Sequence, residues 1–145
     1  MTENRLTGFY RACDELGLEI PEEYVREGVY HDPDRCAELT RELLQLPEPP
    51  TCILMPDDFS SIGGGNAIRR MGLRFPEDVS AAGYDGIQLA SVTNPAMTTY
   101  RQDTAALGKT AAAKLIELIE KPRTALVDRI LIPGKLVEGG SVRAI

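Results

Sequence analysis

Apolar positions recur along this chain in two rhythms, one at every third or fourth residue and one nearly continuous over five or six, and the alternation predicts helices and strands in turn. Leu6, Phe9, Tyr10, Cys13 and Leu16 fall at helical spacing, with Thr2 able to cap the start and Gly17 to stop the helix. Residues 21–29 read as a weak strand at best. Asp32-Pro33 combines an N-cap with a first-turn proline, and Cys36, Leu39, Leu43 and Leu44 make the apolar stripe of a second helix, which ends in LPEPP at 46–50. The run 51–55 is apolar throughout, as expected of a parallel strand buried on both faces.

A third helix over 59–71, capped by Asp57 or Asp58, contains Gly63, Gly64 and Gly65, each costing about 1 kcal/mol against alanine. Three in a row call for close packing against another helix or a second chain. Residues 79–84 form a short buried strand stopping at Asp85-Gly86. The pattern is ambiguous around 89–92 and extended over 97–102. Asp103 then caps a fourth helix with Leu107, Ala111, Leu115, Leu118 and Ile119 on one stripe, stopped at Lys121-Pro122. Segments 129–132 and 135–137 read as short strands split by Pro133-Gly134. Helix and strand alternate, so the fold class is α/β with a mainly parallel sheet flanked by helices.

Charge narrows the partners. The net charge is -6, with 16 Lys and Arg scattered among 22 acids, which gives no electrostatic footprint for nucleic acid. No apolar run is long enough to span a membrane and the opening MTENRLTG lacks a secretory core, so a cytoplasmic chain is expected. Cys13, Cys36 and Cys52 form no CxxC pair and fall on apolar faces, which predicts buried free thiols. His31 stands alone, leaving no set for a histidine zinc site or a serine triad; neither metal nor cofactor is expected.

Two strands end in acids, Asp57-Asp58 and Asp85, and in a parallel sheet these carboxylates share one edge, where open α/β sheets bind ligands. Carboxylates there accept hydrogen bonds from vicinal hydroxyls, and Arg5 could donate to the same small polyol. The alternative is that these acids are caps and turn residues. IGGGNA lacks the spacing and the Lys-Ser or Lys-Thr of a phosphate loop, and no nucleophile accompanies the acids, so no enzyme is expected.

The run GLRFPEDVS at 72–80, then Gly83-Tyr84-Asp85, Asn94-Pro95, Thr98-Thr99 and Gln102, resembles the signature of LacI/GalR-family transcriptional regulators. Asn4-Arg5-Leu6 with Gly8-Phe9 resembles the start of that family's effector-domain helix, Asp57-Asp58 its strand-end Asn-Asp, and Leu107-Gly108 its late helix. The resemblance covers nearly the whole chain. It implies a periplasmic-binding-protein-like type I fold, in which two α/β subdomains close on a small effector, usually a sugar or nucleobase, and switch a DNA-binding head.

By the same resemblance, 1–145 is a partial effector-binding domain truncated at its N-terminus. Residues 1–99 and 129–145 belong to the C-terminal subdomain, while the 103–121 helix would pack in a second subdomain. The resemblance assigns effector contacts to Arg5, Asp57, Asp85 and Gln102, and a homodimer interface to Ile62, Gly63, Gly64, Leu89, Val92 and Thr93. Asp57 departs from the usual Asn and so loses a donor, and Thr104 stands where some members carry an aromatic. A central strand should precede the first helix in this fold, so the 51–55 strand and the Val25 region are expected to face a slot filled by another chain, a swapped segment or a rearranged strand. The implied function is effector sensing and dimerisation, with no DNA binding by this chain itself; the alternative is a stand-alone small-molecule-binding or dimerisation module.

Overall fold

The computed structural model describes residues 2–122, 124 and 129–144, and among them five α-helices and a four-stranded sheet. Helix α1 spans Thr2–Leu16. Gly17, at φ 66°, turns the chain so that the Leu18 N–H reaches the Cys13 carbonyl at 2.9 Å and closes the helix. The cap expected of the Thr2 hydroxyl lies outside the described side chains. Helix α2 spans Pro33–Leu44, with the Asp32 carboxylate accepting the Arg35 N–H at 2.9 Å.

Strand β1 (Cys52–Leu54) leads into α3 (Asp58–Arg70), and β2 (Ser80–Asp85) into the short α4 (Gln88–Ser91). Strand β3 (Thr98–Arg101), α5 (Thr104–Glu120) and β4 (Lys135–Val137) complete the order. The sheet runs β1-β2-β3-β4, parallel through the first three strands, with β4 antiparallel to β3. The mainly parallel α/β arrangement is thus present, and it sets the ends of β1 and β2 side by side.

The core lies where α2 and α3 meet each other and the sheet, with Leu43, Ile53, Met55, Ile68, Phe75 and Val79 in one cluster. The glycine run of α3 is explained here. A Cβ on Gly63 would stand 2.1 Å from the Pro33 carbonyl oxygen, and one on Gly64 would stand 2.1 Å from the Met55 methyl. These glycines let α3 approach α2 and β1 within the chain, and the packing offsets their helix cost.

Several expectations are corrected. Residues 21–29 form no strand: after Pro21 a 3-10 turn, Glu22–Tyr24, takes the local N–H groups, with Tyr24 and Val25 donating to Pro21 and Glu22. Segment 129–132 is no strand either. Lys135 pairs with Arg101, the last residue of β3, and beyond Arg101 the chain turns into α5, leaving residues before Lys135 without a partner strand. Strand β1 is the sheet edge and is buried on one face only, with Ile53 inside and Cys52 and Leu54 exposed. Among the described residues nothing pairs along its outer side, so no rearranged strand of this chain fills the expected slot there.

The thiols also differ from expectation. Cys13 is buried, Cys36 half-buried and Cys52 exposed. The stripe of α5 is present in sequence but covered by nothing among the described residues: the helix has no buried residue, and Leu115 and Ile119 are 59% and 70% exposed. Leu6, Tyr10 and Leu16 of α1 are likewise exposed.

Candidate functional site

Strand β2 delivers Asp85 to the carboxyl end of the sheet with φ 112°, a conformation L side chains rarely adopt, and Gly86 follows at φ 72°. The turn lifts the Asp85 side chain out of the strand ladder, and three segments converge on it. Gln102, just past β3, donates Nε2–H to Asp85 Oδ1 at 2.7 Å. Arg5, from α1, donates to the same oxygen at 3.2 Å and also to the Pro56 carbonyl after β1. Its guanidinium lies 3.8 Å from the centre of the Tyr84 ring, a cation-π contact that fixes the planar fork.

The third segment is the loop before α2. Tyr30 donates its hydroxyl to Asp85 Oδ2 at 2.7 Å, and His31, at φ 60°, places Nε2 3.9 Å from that oxygen. The Tyr30 and His31 rings stack at 4.0 Å, and the His31 ring meets Phe59 edge-on at 5.3 Å. Burial raises the Tyr30 phenol above its ordinary value, with the Asp85 hydrogen bond adding to the rise. The result is a carboxylate ringed by donors and flanked by aromatic faces, of the kind that holds a small hydroxylated ligand.

The two acids after β1 behave differently from Asp85. Asp57 and Asp58 are 0% and 1% exposed, so neither shares the surface with Arg5, Asp85 and Gln102. Asp57, expected among the effector contacts, is a buried helix cap: Oδ1 accepts the Ser60 N–H, and Oδ2 accepts the Ser60 hydroxyl and the His31 N–H. Burial alone would raise its carboxyl, but the Ser60 and His31 hydrogen bonds prevail and hold it below the usual range. Asp58 accepts the Ile87 N–H on Oδ2 at 2.8 Å, while Oδ1 has no hydrogen-bond partner. Burial pushes this carboxyl up against the opposing pull of the Thr99 hydroxyl and the Ile87 amide.

Tyr30, His31 and Phe59 were not singled out from the sequence as site residues. The available signal was the aromatic pair immediately before the Asp32-Pro33 cap, since loop residues at helix starts commonly carry function.

Of the expected interface residues, Leu89 and Val92 are 47% and 71% exposed and Ile62 and Thr93 half-buried, whereas Gly63 and Gly64 are buried within the chain. A cavity of about 260 Å³ lies between α3 and the segment after α4, lined by Ile62, Phe75 and Thr93 among others. It lies away from Asp85, and the donor cluster marks the chemistry better than this opening does. Among the described residues no group of His, Cys, Asp and Glu could hold a metal ion.

Residues 1–142 match the family model described as periplasmic binding protein-like domain. The chain is 34% identical over 143 residues to the HTH-type transcriptional repressor PurR of Escherichia coli, an alignment covering 96% of this chain and 42% of PurR. It therefore spans about two fifths of the length of such curated relatives. Among solved structures it resembles a transcriptional regulator CelR-cellobiose complex, with 29% identity and a TM-score of 0.87 over 95% of this chain and 42% of that one. It also resembles the Lac repressor dimer bound to operator and the anti-inducer ONPF, with 28% identity and a TM-score of 0.86 over 97% and 47%.

Proposed function

We propose, because this chain belongs to the periplasmic binding protein-like domain family and is an effector-binding domain of LacI/GalR type, that it senses a small sugar for a transcriptional regulator. The observation that carries this reading is the convergence of Arg5, Gln102 and Tyr30 on Asp85 at the carboxyl end of β2. Asp85 accepts effector hydroxyls, Arg5 and Gln102 donate to them, and Tyr30 with Phe59 supplies apolar faces. Asp57 acts on the effector only through the loop it holds at His31. The presence of cellobiose with CelR supports a sugar over a nucleobase.

The curated relatives are transcriptional repressors, which supports a binding role over catalysis. Chemistry of this kind uses a second lobe to close over the ligand, and the uncovered apolar stripe of α5 is suited to pack in that lobe. Alone, the wall formed by Asp85, Arg5 and Gln102 binds weakly. A regulator of this type acts in the cytoplasm, and its operator contacts are made by a DNA-binding head and not by this acidic chain. We place a homodimer interface at Ile62, Leu89, Val92 and Thr93, with Gly63 and Gly64 setting how α3 sits beneath it.

A thermal-shift panel of sugars, nucleosides and amino acids at tens of millimolar tests the reading. A small rise with one sugar class, lost in Asp85→Asn, supports it. Strong stabilisation at micromolar ligand points instead to a stand-alone binding module. A rise confined to nucleosides or amino acids removes the sugar assignment.

A further inference from the structure

Asp58 is a carboxylate with almost no contact with solvent and one oxygen unpartnered, an arrangement that costs stability and calls for a reason. Its surroundings indicate what that is. Oδ2 holds the Ile87 N–H at 2.8 Å, two residues past Asp85, where the backbone has left the ladder. The Gly86 N–H between them goes to the Thr99 hydroxyl at 3.2 Å. The turn that bears Asp85 is therefore held at two successive amides by side chains of α3 and β3.

Room for this arrangement comes from Gly83. A Cβ there would lie 2.5 Å from Asp58 Oδ1 and 2.5 Å from Ser61 Oγ, so any larger residue would drive the carboxylate away from Ile87. Asp57, the preceding residue, makes the matching contact on the other side, holding the His31 N–H at 3.1 Å. The start of α3 thus grips both the Tyr30-His31 loop, which approaches Asp85 Oδ2, and the Asp85-Gly86-Ile87 turn that bears it.

We infer that Asp58 and Asp57 are positioning residues of the effector site, which touch no ligand and set where Asp85 and Tyr30 stand by holding the Ile87 and His31 amides. This rests on Asp85 being the effector contact, but the geometry is read without ligand. A chain that binds no sugar would leave it standing, and a displaced Asp85 turn would leave the sugar reading standing.

The test is amide hydrogen exchange and 15N NMR on the ligand-free 145-residue chain, comparing wild type with Asp58→Asn, Asp58→Ala and Gly83→Ala. Asp58→Asn keeps an oxygen for Ile87 and should hold the Gln102 side-chain amide signals near their wild-type positions. Asp58→Ala and Gly83→Ala should speed exchange at Ile87 by roughly tenfold or more, as loss of a hydrogen bond to a charged group implies. They should also move the Gln102 side-chain signals, because its partner Asp85 moves. Unchanged Gln102 signals in variants whose melting temperature has fallen would reduce Asp58 to a packing residue and overturn the inference.

If both disruptive variants fail to fold, a pH titration of the wild-type chain decides. The Ile87 amide shift should follow the midpoint of the Asp58 carboxyl carbon. An Ile87 signal indifferent to that titration overturns the inference.

Discussion

The Tyr30 hydroxyl and the Gln102 amide hold opposite oxygens of Asp85, each at 2.7 Å, one from the loop before α2 and the other from the end of β3. With Arg5 also on Oδ1, the carboxylate is occupied by the chain's own donors, so under the proposed reading an effector hydroxyl would have to replace one of them. Tyr30 is the partner placed to yield, being 42% exposed on a loop.

The Tyr30 phenol should therefore ionise above 10.0 in the folded chain, read from its ring carbon by NMR. Because the folded value is raised, the stability it contributes is present at neutral pH and is lost as pH rises through that value. Asp85→Asn removes the raising hydrogen bond and charge while Arg5 remains, so the value should fall; no change would detach Tyr30 from Asp85.

Glycine substitutions separate the two kinds of helix position. Gly63→Ala should cost roughly 1–3 kcal/mol in urea denaturation, since its Cβ meets the Pro33 backbone, which cannot swing aside as a side chain can. Gly8→Ala in α1 and Gly108→Ala in α5 have nothing within 4 Å and should stabilise by about 0.5–1 kcal/mol through helix propensity alone.

The neighbouring acids Asp57 and Asp58 should titrate apart although one peptide bond joins them. Asp57 lies below 3.8, so its stabilising contribution is present above 3.8 and lost as pH falls through its lowered value. Asp58 lies above 3.8, so its contribution is present below 3.8 and lost as pH rises through its raised value. Carboxyl-carbon NMR should find Asp57 titrating first from the acid side, and Asp58→Asn should remove the second loss.

The interface reading predicts a dimer by light scattering at tens of micromolar. Leu89→Glu or Val92→Glu should convert it to monomer with little change in folding, because both side chains are exposed in the single chain. A wild-type monomer at that concentration counts against the interface.

Much of the frame was legible because it rests on local chemistry. Asp32-Pro33, Asp57 and Asp103 cap helices as their types require, and Gly17 ends α1. Strand ends at Asp57 and Asp85 follow from the apolar runs before them. What the pattern left unread depended on distant partners. An apolar run such as Cys52–Leu54 has the same sequence whether one face of the strand is covered or both, and only the elements packed against it distinguish the two. Residues 129–132 look like a strand, but β3 has already ended opposite them.

The site divides in the same way. Arg5, Asp85 and Gln102 came from a family resemblance and do meet, while Asp57 matched in position but turned inward to Ser60 and His31. Nothing in spacing could bring Tyr30 to Asp85 across 55 residues.

The central claim is that Asp85, Arg5 and Gln102 form one wall of a sugar site. The most direct measurement is a 15N NMR titration of the chain with cellobiose and a panel of monosaccharides, run in parallel on Asp85→Asn. The account predicts about millimolar binding, with shifts confined to Arg5, Tyr30, His31, Asp85 and Gln102 and abolished in the variant. Shifts centred elsewhere, or shifts that survive in Asp85→Asn, would contradict it.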